Sequence, residues 1–204
     1  RGALLPTVGV MTAVLAQTPT TGSTPVAEGV ARVHRVLDDV DAAAVGRVSG
    51  HDVAEVERAI SRLASLKLSL VSAADRQGAA GRAGMTNTGA WLAANTRAWG
   101  AKAAADVALA TTLESSLPVT RQALADGALS TEHAAVIAGT TSRLPEGLSE
   151  AERAMIETAL VAKARHLDPG RLRRSARRAL QAAERDHHHR KQEGKAKCER
   201  DGDF

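Results

Sequence analysis

The sequence predicts an all-α fold, a bundle of about seven or more helices, and three observations favour it. Aromatic residues make up only 1% of the 204 residues, so the core must consist of Ala, Leu, Val and Ile. Apolar residues recur at spacings of three and four, which is the helical period, and no segment shows the strict alternation of a half-buried strand. Ser, Asp and Pro stand repeatedly at positions typical of helix starts.

The first helices are expected to form a long N-terminal hairpin. Residues 1–27 are predicted to be a flexible lead, followed by a helical domain over 28–185. Asp52, with Glu55 three residues later, is predicted as the N-cap of the second helix. Each of the two helices carries a row of apolar residues, here called a seam, and two such seams suit an antiparallel hairpin. Two copies of the chain could also dimerise through this hairpin. The seams consist of Val30, Val33, Leu37, Val40 and Ala44, and of Val53, Val56, Ile60, Leu63, Leu70 and Ala74.

Two features near these seams have competing explanations. Lys67 interrupts the second seam, and its stem is expected to snorkel to solvent in preference to meeting a partner carboxylate.

The stretch GAAGRAG, residues 78–84, resembles a phosphate-binding loop, but such a loop needs a preceding strand that the sequence does not offer. We interpret it as a break between packed helices.

The tryptophan-bearing stretch allows two interpretations. Thr86 or Thr88 is predicted to cap a short helix carrying Trp91, which we expect to be a core anchor, and Trp99 is expected to cover an apolar edge at the next turn. The spacing also suits a helix-turn-helix that reads DNA. The following helix has one cation, Lys102, and lacks the polar side chains that distinguish bases, so packing is the favoured interpretation. Its expected apolar stripe is Ala101, Ala105, Ala108, Leu109 and Leu113.

The remaining helix starts are marked by specific residue types. Pro is favoured at the first helical position, and Ser or Asp at the N-cap, where the side-chain oxygen accepts a backbone N–H. A Glu three residues after a capping Ser completes a capping box. These starts are predicted at Pro118, Ser130, Ser149 with Glu152, and Asp168 with Pro169.

The last predicted helix carries the candidate DNA contacts. Residues 163–204 hold 13 basic and 7 acidic residues, whereas residues 1–162 hold 14 and 16, so the net positive charge of the chain lies at its end. On a helical wheel, an arginine-rich arc lies opposite an apolar arc. Two interpretations of the arginines are open: they bind phosphate groups, or they only form the solvated face of an amphipathic helix. Residues 186–204 are predicted to be a basic linker. The arginines are Arg171, Arg173, Arg174, Arg177 and Arg178, and the apolar arc is Leu172, Ala176, Ala179, Leu180 and Ala183.

No catalytic constellation, metal site or cofactor site is expected in this chain. The run His187-His188-His189 converges poorly on one ion, because consecutive side chains point in different directions, and a solvated linker is favoured there over a metal site. His133 and His166 are expected to be hydrogen-bonded core histidines. Cys198 is the only cysteine, which excludes an internal disulfide and favours a reducing, cytoplasmic location. No segment reaches membrane-spanning length, and residues 1–17 do not fit a secretory signal well.

Three stretches give the chain a family resemblance: DRQGAAGRAGMTNTGAWLAANTR, LPVTRQALADGALSTEHAAVIA and ARHLDPGRLRRSARR. In this order they resemble the actinobacterial domain-of-unknown-function 222 family, also called the 13E12-repeat family, from about Asp52 to Arg185. In that family the helical domain commonly precedes a C-terminal HNH endonuclease domain. The resemblance therefore implies a nuclease domain, with its divalent metal, in sequence beyond residue 204, and both ends of the chain are expected to be cuts in a longer reading frame.

The chain departs from the family pattern at WGAKAAAD, where relatives place Ser, Glu and several arginines. The HNH residues do not transfer either, because the only asparagines, Asn87 and Asn95, have no neighbouring histidine. We therefore expect a non-catalytic module that positions a nuclease on DNA by non-specific phosphate contacts. The alternative is a protein-interaction or homodimerisation module that does not bind DNA directly.

Overall fold

The computed structural model describes residues 24–42, 46 and 48–201, with side chains up to Arg185 and at Gln192. This part of the chain contains nine helices and no strand, so the all-α prediction is confirmed. The helices are α1 Pro25–Ala42, α2 Gly50–Arg76, α3 Ala79–Arg82, α4 Thr88–Thr96, α5 Gly100–Ser116, α6 Pro118–Ala125, α7 Thr131–Thr141, α8 Glu150–Ala164 and α9 Pro169–Asp201.

The chain divides into two compact units, residues 1–48 and residues 49–204. The first unit contains α1, which exposes Val36, Leu37 and Val40. The second contains α2 to α9. The predicted hairpin of the first two helices stays a prediction, and residues 1–23 of the predicted lead lie outside the described residues. The segment 186–201, expected to be a linker, is helical as part of α9, in keeping with its lack of proline.

Most of the predicted helix starts are confirmed. Pro118 is the first residue of α6, and Ser130 caps α7. Ser149 and Glu152 form a capping box at α8, in which the Ser149 N–H donates to Glu152 Oε2 at 2.8 Å. The glycine stretch 78–84 contains the four-residue helix α3 between two glycines at positive φ, so the interpretation as a helix break also holds.

Two predicted caps were wrong by one or a few residues. The N-cap of α2 is Ser49, and Asp52 is the N3 residue that accepts the Ser49 N–H at 2.8 Å. The N-cap of α4 is Asn87, whose Oδ1 accepts the Ala90 N–H at 2.9 Å. In both places several capping residue types stand close together, and the choice depends on backbone dihedral angles that the sequence does not reveal.

The core of residues 49–204 is aliphatic, as the composition predicts. Its fully buried members include Leu117, Leu124, Ile137, Leu160 and Leu172, which come from α6 to α9 and from the residue before α6. On α5, Leu109 and Leu113 are buried as expected. The alanines predicted to share their stripe are exposed, and the buried face contains Ala103, Asp106 and Ala110 in their place.

Two buried carboxylates connect helices within this core. Asp106 of α5 accepts from Lys67 of α2 at 2.7 Å and also pairs with Lys102. The expected snorkelling of Lys67 was therefore wrong, and the alternative of a partner carboxylate is what the structure shows. Burial alone would raise the pKa of Asp106, but hydrogen bonds from Lys102 and Lys67 outweigh it and hold the pKa below its usual value. The second carboxylate, Glu157 of α8, accepts from the Thr120 N–H at 2.7 Å and hydroxyl at 2.8 Å.

Candidate nucleic-acid interface

Helix α9 begins where the Asp-Pro pair predicts it. Pro169 is its first residue, and Asp168 Oδ1 accepts the Arg171 N–H at 2.9 Å, which is an N-cap bond. The same backbone bond lowers the pKa of Asp168 below its usual value, with a further contribution from the charge of Arg171. The Arg171 guanidinium also pairs with the Asp168 carboxylate at 3.2 Å, so part of its charge is compensated within the chain.

One face of α9 packs onto the core, and this face is the predicted apolar arc. Leu172 and Ala176 are fully buried against the core cluster, and Ala179, Leu180 and Ala183 are half-buried. The packing partners of α9 are α7 and α8. The packed side chains among the described residues of α9 thus lie in its first four turns.

All five candidate arginines on α9 are exposed. Arg171 has the Asp168 partner described above. For the other four, no ion pair or hydrogen bond with another described side chain exists within residues 24–42, 46 and 48–185. These four are Arg173, Arg174, Arg177 and Arg178, and together they place four exposed positive charges within about two helical turns; the charge of Arg174 also acts on the Asp168 carboxylate.

The four arginines form two rows with different surroundings. Arg173 and Arg177 are one turn apart and line a groove between α9 and α7. Arg174 and Arg178 are also one turn apart, but each lies about 100° further around the helix and points away from that groove. We call these pairs the groove row and the outer row.

The groove has a volume of about 320 Å³. Arg143, which follows the C-terminal end of α7, adds a third guanidinium to the groove row. The floor is formed by aliphatic or small residues, with Val136 and Gly139 on α7 and Leu180 on α9. The described lining residues include no carboxylate, so the groove is a site of concentrated positive charge beside an apolar surface.

A histidine fixes α7 relative to the start of α9. The Ser130 N–H donates to His133 Nδ1 at 3.3 Å, so the neutral ring carries its proton on Nε2. Nε2 lies 2.8 Å from the Leu167 carbonyl oxygen, in the connection that leads into α9. His133 is half-buried and hydrogen-bonded at both ring nitrogens, as the sequence indicated, and it joins α7 to the connection that leads into α9. His166 is exposed, so the expectation of a core histidine there was wrong.

The α4–α5 pair offers little for reading DNA bases. The solvent-facing side of α5 consists largely of alanines, together with Lys102, whose ammonium pairs with Asp106. Trp91 is half-buried and packs against the core cluster. Trp99 is 81% exposed, so the expectation that it covers an apolar edge was wrong, because it stands at the N-cap of α5 before the packed turns begin.

Within the described residues, no group of three His, Cys, Asp or Glu side chains is arranged to hold a metal ion. The side chains of the histidine run 187–189 lie outside that part of the chain. In the same described ranges, no helix is both long enough and apolar enough to cross a membrane.

Sequence reasoning did not single out the groove residues that α7 and its C-terminal end contribute, among them Gly139 and Arg143. Both lie on α7 or just beyond it, 30 or more residues before their partners on α9, so no local pattern connects them to the arginine arc. One signal was available: Ala135, Gly139 and Arg143 are spaced by four, which places them on one side of a helix. That row is the side that faces α9.

The fold and this surface define an all-helical domain whose last helix presents exposed arginines beside a groove. A family model described as "Domain of unknown function (DUF222)" matches residues 50–200, most of the chain, and the chain belongs to this family. No curated protein and no solved structure matches the chain.

Proposed function

We propose that this domain binds nucleic acid through the phosphate backbone, without reading sequence, and thereby positions a nuclease on DNA. One observation carries the proposal: four exposed guanidinium groups on α9 form no ion pair and no hydrogen bond with a described side chain. Arg171 sits beside them at the start of the helix, where Asp168 already pairs with it. Arginine forks match phosphate oxygens and form charge-assisted hydrogen bonds with them.

The distribution of these arginines supports phosphate contacts over base contacts. The two rows diverge by about 100°, whereas base readout requires a few side chains converging on base edges in one groove. A phosphate backbone offers charges along a broad path and tolerates such divergence. We therefore infer weak binding that is nearly equal for unrelated DNA sequences.

The nuclease part of the proposal rests on the family resemblance. In that view an HNH endonuclease domain with a divalent metal follows this domain in a longer cytoplasmic protein, and the helical domain contributes affinity and placement only. No catalytic residue or cofactor is assigned to the helical domain. The division of roles explains why a helical domain without a catalytic cluster among its described residues would carry a cationic surface.

The test is DNA binding by a fourfold arginine variant, measured by fluorescence anisotropy with two unrelated labelled 20-base-pair duplexes. Replacing Arg173, Arg174, Arg177 and Arg178 with Gln keeps helix propensity and removes four charges. We expect micromolar or weaker affinity for the wild type at physiological salt, equal for both duplexes, and at least a tenfold loss in the variant.

A control variant with the same change in net charge separates a local effect from general electrostatics. It replaces exposed basic residues outside α9 that have no ion pair with a described side chain, and it should bind DNA within about threefold of the wild type. Equal losses in both fourfold variants would show that α9 is not the contact surface. The control residues are Arg32, Arg35, Arg62 and Lys163.

A second candidate function, homodimerisation, is favoured by the exposed side of α2. Val53, Val56, Ile60, Leu63 and Leu70 are each between 41% and 58% exposed, and they follow the three-and-four spacing of a coiled-coil seam. The packed face of the same helix contains smaller residues, among them Ser61, Ser65 and Ser72. Leu68 and Val71 of α2 are also buried, but the five apolar side chains named above stay exposed, and a second copy of the chain could cover them.

Light scattering coupled to size-exclusion chromatography tests this candidate. A dimer through α2 would have about twice the 21.2 kDa chain mass and would revert to the monomer mass in Ile60→Lys/Leu63→Lys. If the wild type stays a monomer at concentrations of about 100 μM, well above a micromolar dissociation constant, this interface does not form. DNA affinity of the double variant shows whether the two candidate functions depend on each other.

A further inference from the structure

We propose that the groove between α7 and α9 holds a single phosphate group between Arg143, Arg173 and Arg177, with the attached nucleoside lying on the floor formed by Val136, Gly139 and Leu180. This gives the groove row a role different from that of the outer row. The inference rests on the proposed function in taking nucleic acid as the source of the phosphate.

The first support is the convergence of charge. Arg173 and Arg177 approach from α9, and Arg143 approaches from the opposite wall at the end of α7. Like charges brought together around one cavity repel each other, and none of the described lining residues is a carboxylate that would compensate them. A bound phosphate provides the missing countercharge and accepts several charge-assisted hydrogen bonds at once.

The second support is the glycine on the floor. Gly139 lies inside α7, where glycine is less favourable than alanine. A Cβ atom built at this position meets nothing within 4 Å, so helix packing does not require the glycine. The missing side chain leaves the space above the floor open, between Ala135 and Arg143 of the same helical row.

The shape and chemistry of the remaining lining indicate what is attached to the phosphate. The volume of about 320 Å³ is larger than one phosphate needs and falls at the lower end of the roughly 300–1,000 Å³ typical of small-molecule sites. Val136 and Leu180 give the floor an apolar character that suits a sugar edge or the face of a base. A nucleotide combines an anionic end with such a face, and it can be free or part of a strand.

The matched pair of rows on α9 provides the test. Arg173→Gln/Arg177→Gln and Arg174→Gln/Arg178→Gln remove the same charge from the same helix and differ only in whether the residues line the groove. Binding is measured by NMR titration of the full chain with thymidine 5′-monophosphate, thymidine and a 12-residue oligothymidylate at 150 mM NaCl. We expect the monophosphate to shift the amide signals around Gly139 and Arg143, and thymidine to leave them unchanged.

The groove-row variant and Arg143→Gln should each weaken binding of the monophosphate at least about tenfold, whereas the outer-row variant should stay within about threefold. Gly139→Leu fills the groove without changing charge and should also abolish binding. Its melting temperature should equal or exceed that of the wild type, because leucine favours the helix more than glycine does and a Cβ at this position meets nothing within 4 Å. Gly139→Ala is the milder control for that substitution.

The outcomes separate the groove from the proposed function. Equal losses in the two row variants, or full binding by Gly139→Leu, overturn the groove site even if α9 binds duplex DNA. Groove binding of the monophosphate together with duplex affinity independent of α9 overturns the proposed function and leaves the groove site standing. If the oligothymidylate binds more tightly than the monophosphate and this binding depends on Arg143, the phosphate in the groove comes from a nucleic-acid strand. If only the monophosphate binds, the inference that nucleic acid supplies the phosphate is overturned.

Discussion

Substitution of Glu157 is the most informative test of how the core is held together. Glu157 is only 2% exposed, and its Oε1 accepts both the backbone N–H and the hydroxyl of Thr120. Thr120 lies in the first turn of α6, whose N-cap residue, Leu117, provides no side-chain cap. The carboxylate of α8 therefore performs the capping from a different helix and joins α6 to α8.

The expected cost of Glu157→Ala follows from these contacts. Each hydrogen bond to a charged group contributes about 1.5–3 kcal/mol, and its loss leaves a buried Thr120 donor without a partner. Because two such hydrogen bonds are lost together, we expect the free energy of unfolding to fall by about 3–5 kcal/mol. Glu157→Gln keeps an oxygen acceptor and loses only the charge, so it should cost about 1–2 kcal/mol.

Urea unfolding followed by tryptophan fluorescence measures this cost, because both tryptophans lie in the unit formed by residues 49–204. Glu146→Ala makes the same substitution at an exposed position and should change the free energy of unfolding by no more than about 0.5 kcal/mol. The reasoning is refuted if Glu157→Ala is no more destabilising than this control, or if the Ala and Gln variants of Glu157 are equally stable.

Two further predictions concern stability. Trp91→Ala should lower the free energy of unfolding by about 2–3 kcal/mol, which is less than for a fully buried aromatic residue. Trp99→Ala should lower it by no more than about 0.5 kcal/mol, because Trp99 is exposed. Equal denaturation midpoints of the two variants would contradict this difference in burial. Because the pKa of Asp106 is lowered in the folded state, its stabilisation is complete above its ordinary value of 3.8 and is lost as the pH falls through the folded pKa. In thermal unfolding across this pH range, the gap between wild type and Asp106→Asn should narrow with acidification, and a constant gap would show that the carboxylate charge does not stabilise the fold.

Local chemistry made much of this fold predictable from sequence. The Ser149–Glu152 box, the proline that starts α6 and the Asp168–Pro169 pair each specify a helix start through contacts within three residues. The apolar arc of α9 was predictable for the same reason, since helical period alone brings its members together.

Contacts between distant residues were not predictable in this way. The Lys67–Asp106 pair spans 39 residues and the Glu157–Thr120 contact spans 37, and both depend on how helices pack. Arg143 joins the arginines of α9 for the same reason. The sequence provided the five arginines of α9 as candidates, but only packing against α7 divides four of them into a groove row and an outer row.

The salt dependence of DNA binding tests the central claim most directly. Each phosphate contact releases condensed counterions, so four arginine contacts predict a slope of log K against log salt concentration of about −3.6 on duplex DNA. The variant in which Arg173, Arg174, Arg177 and Arg178 are Gln should bind more weakly and show a much shallower slope, because at most the contacts of other residues such as Arg143 remain. An unchanged slope and affinity in that variant would contradict the account, because the phosphate contacts would then lie elsewhere on the chain.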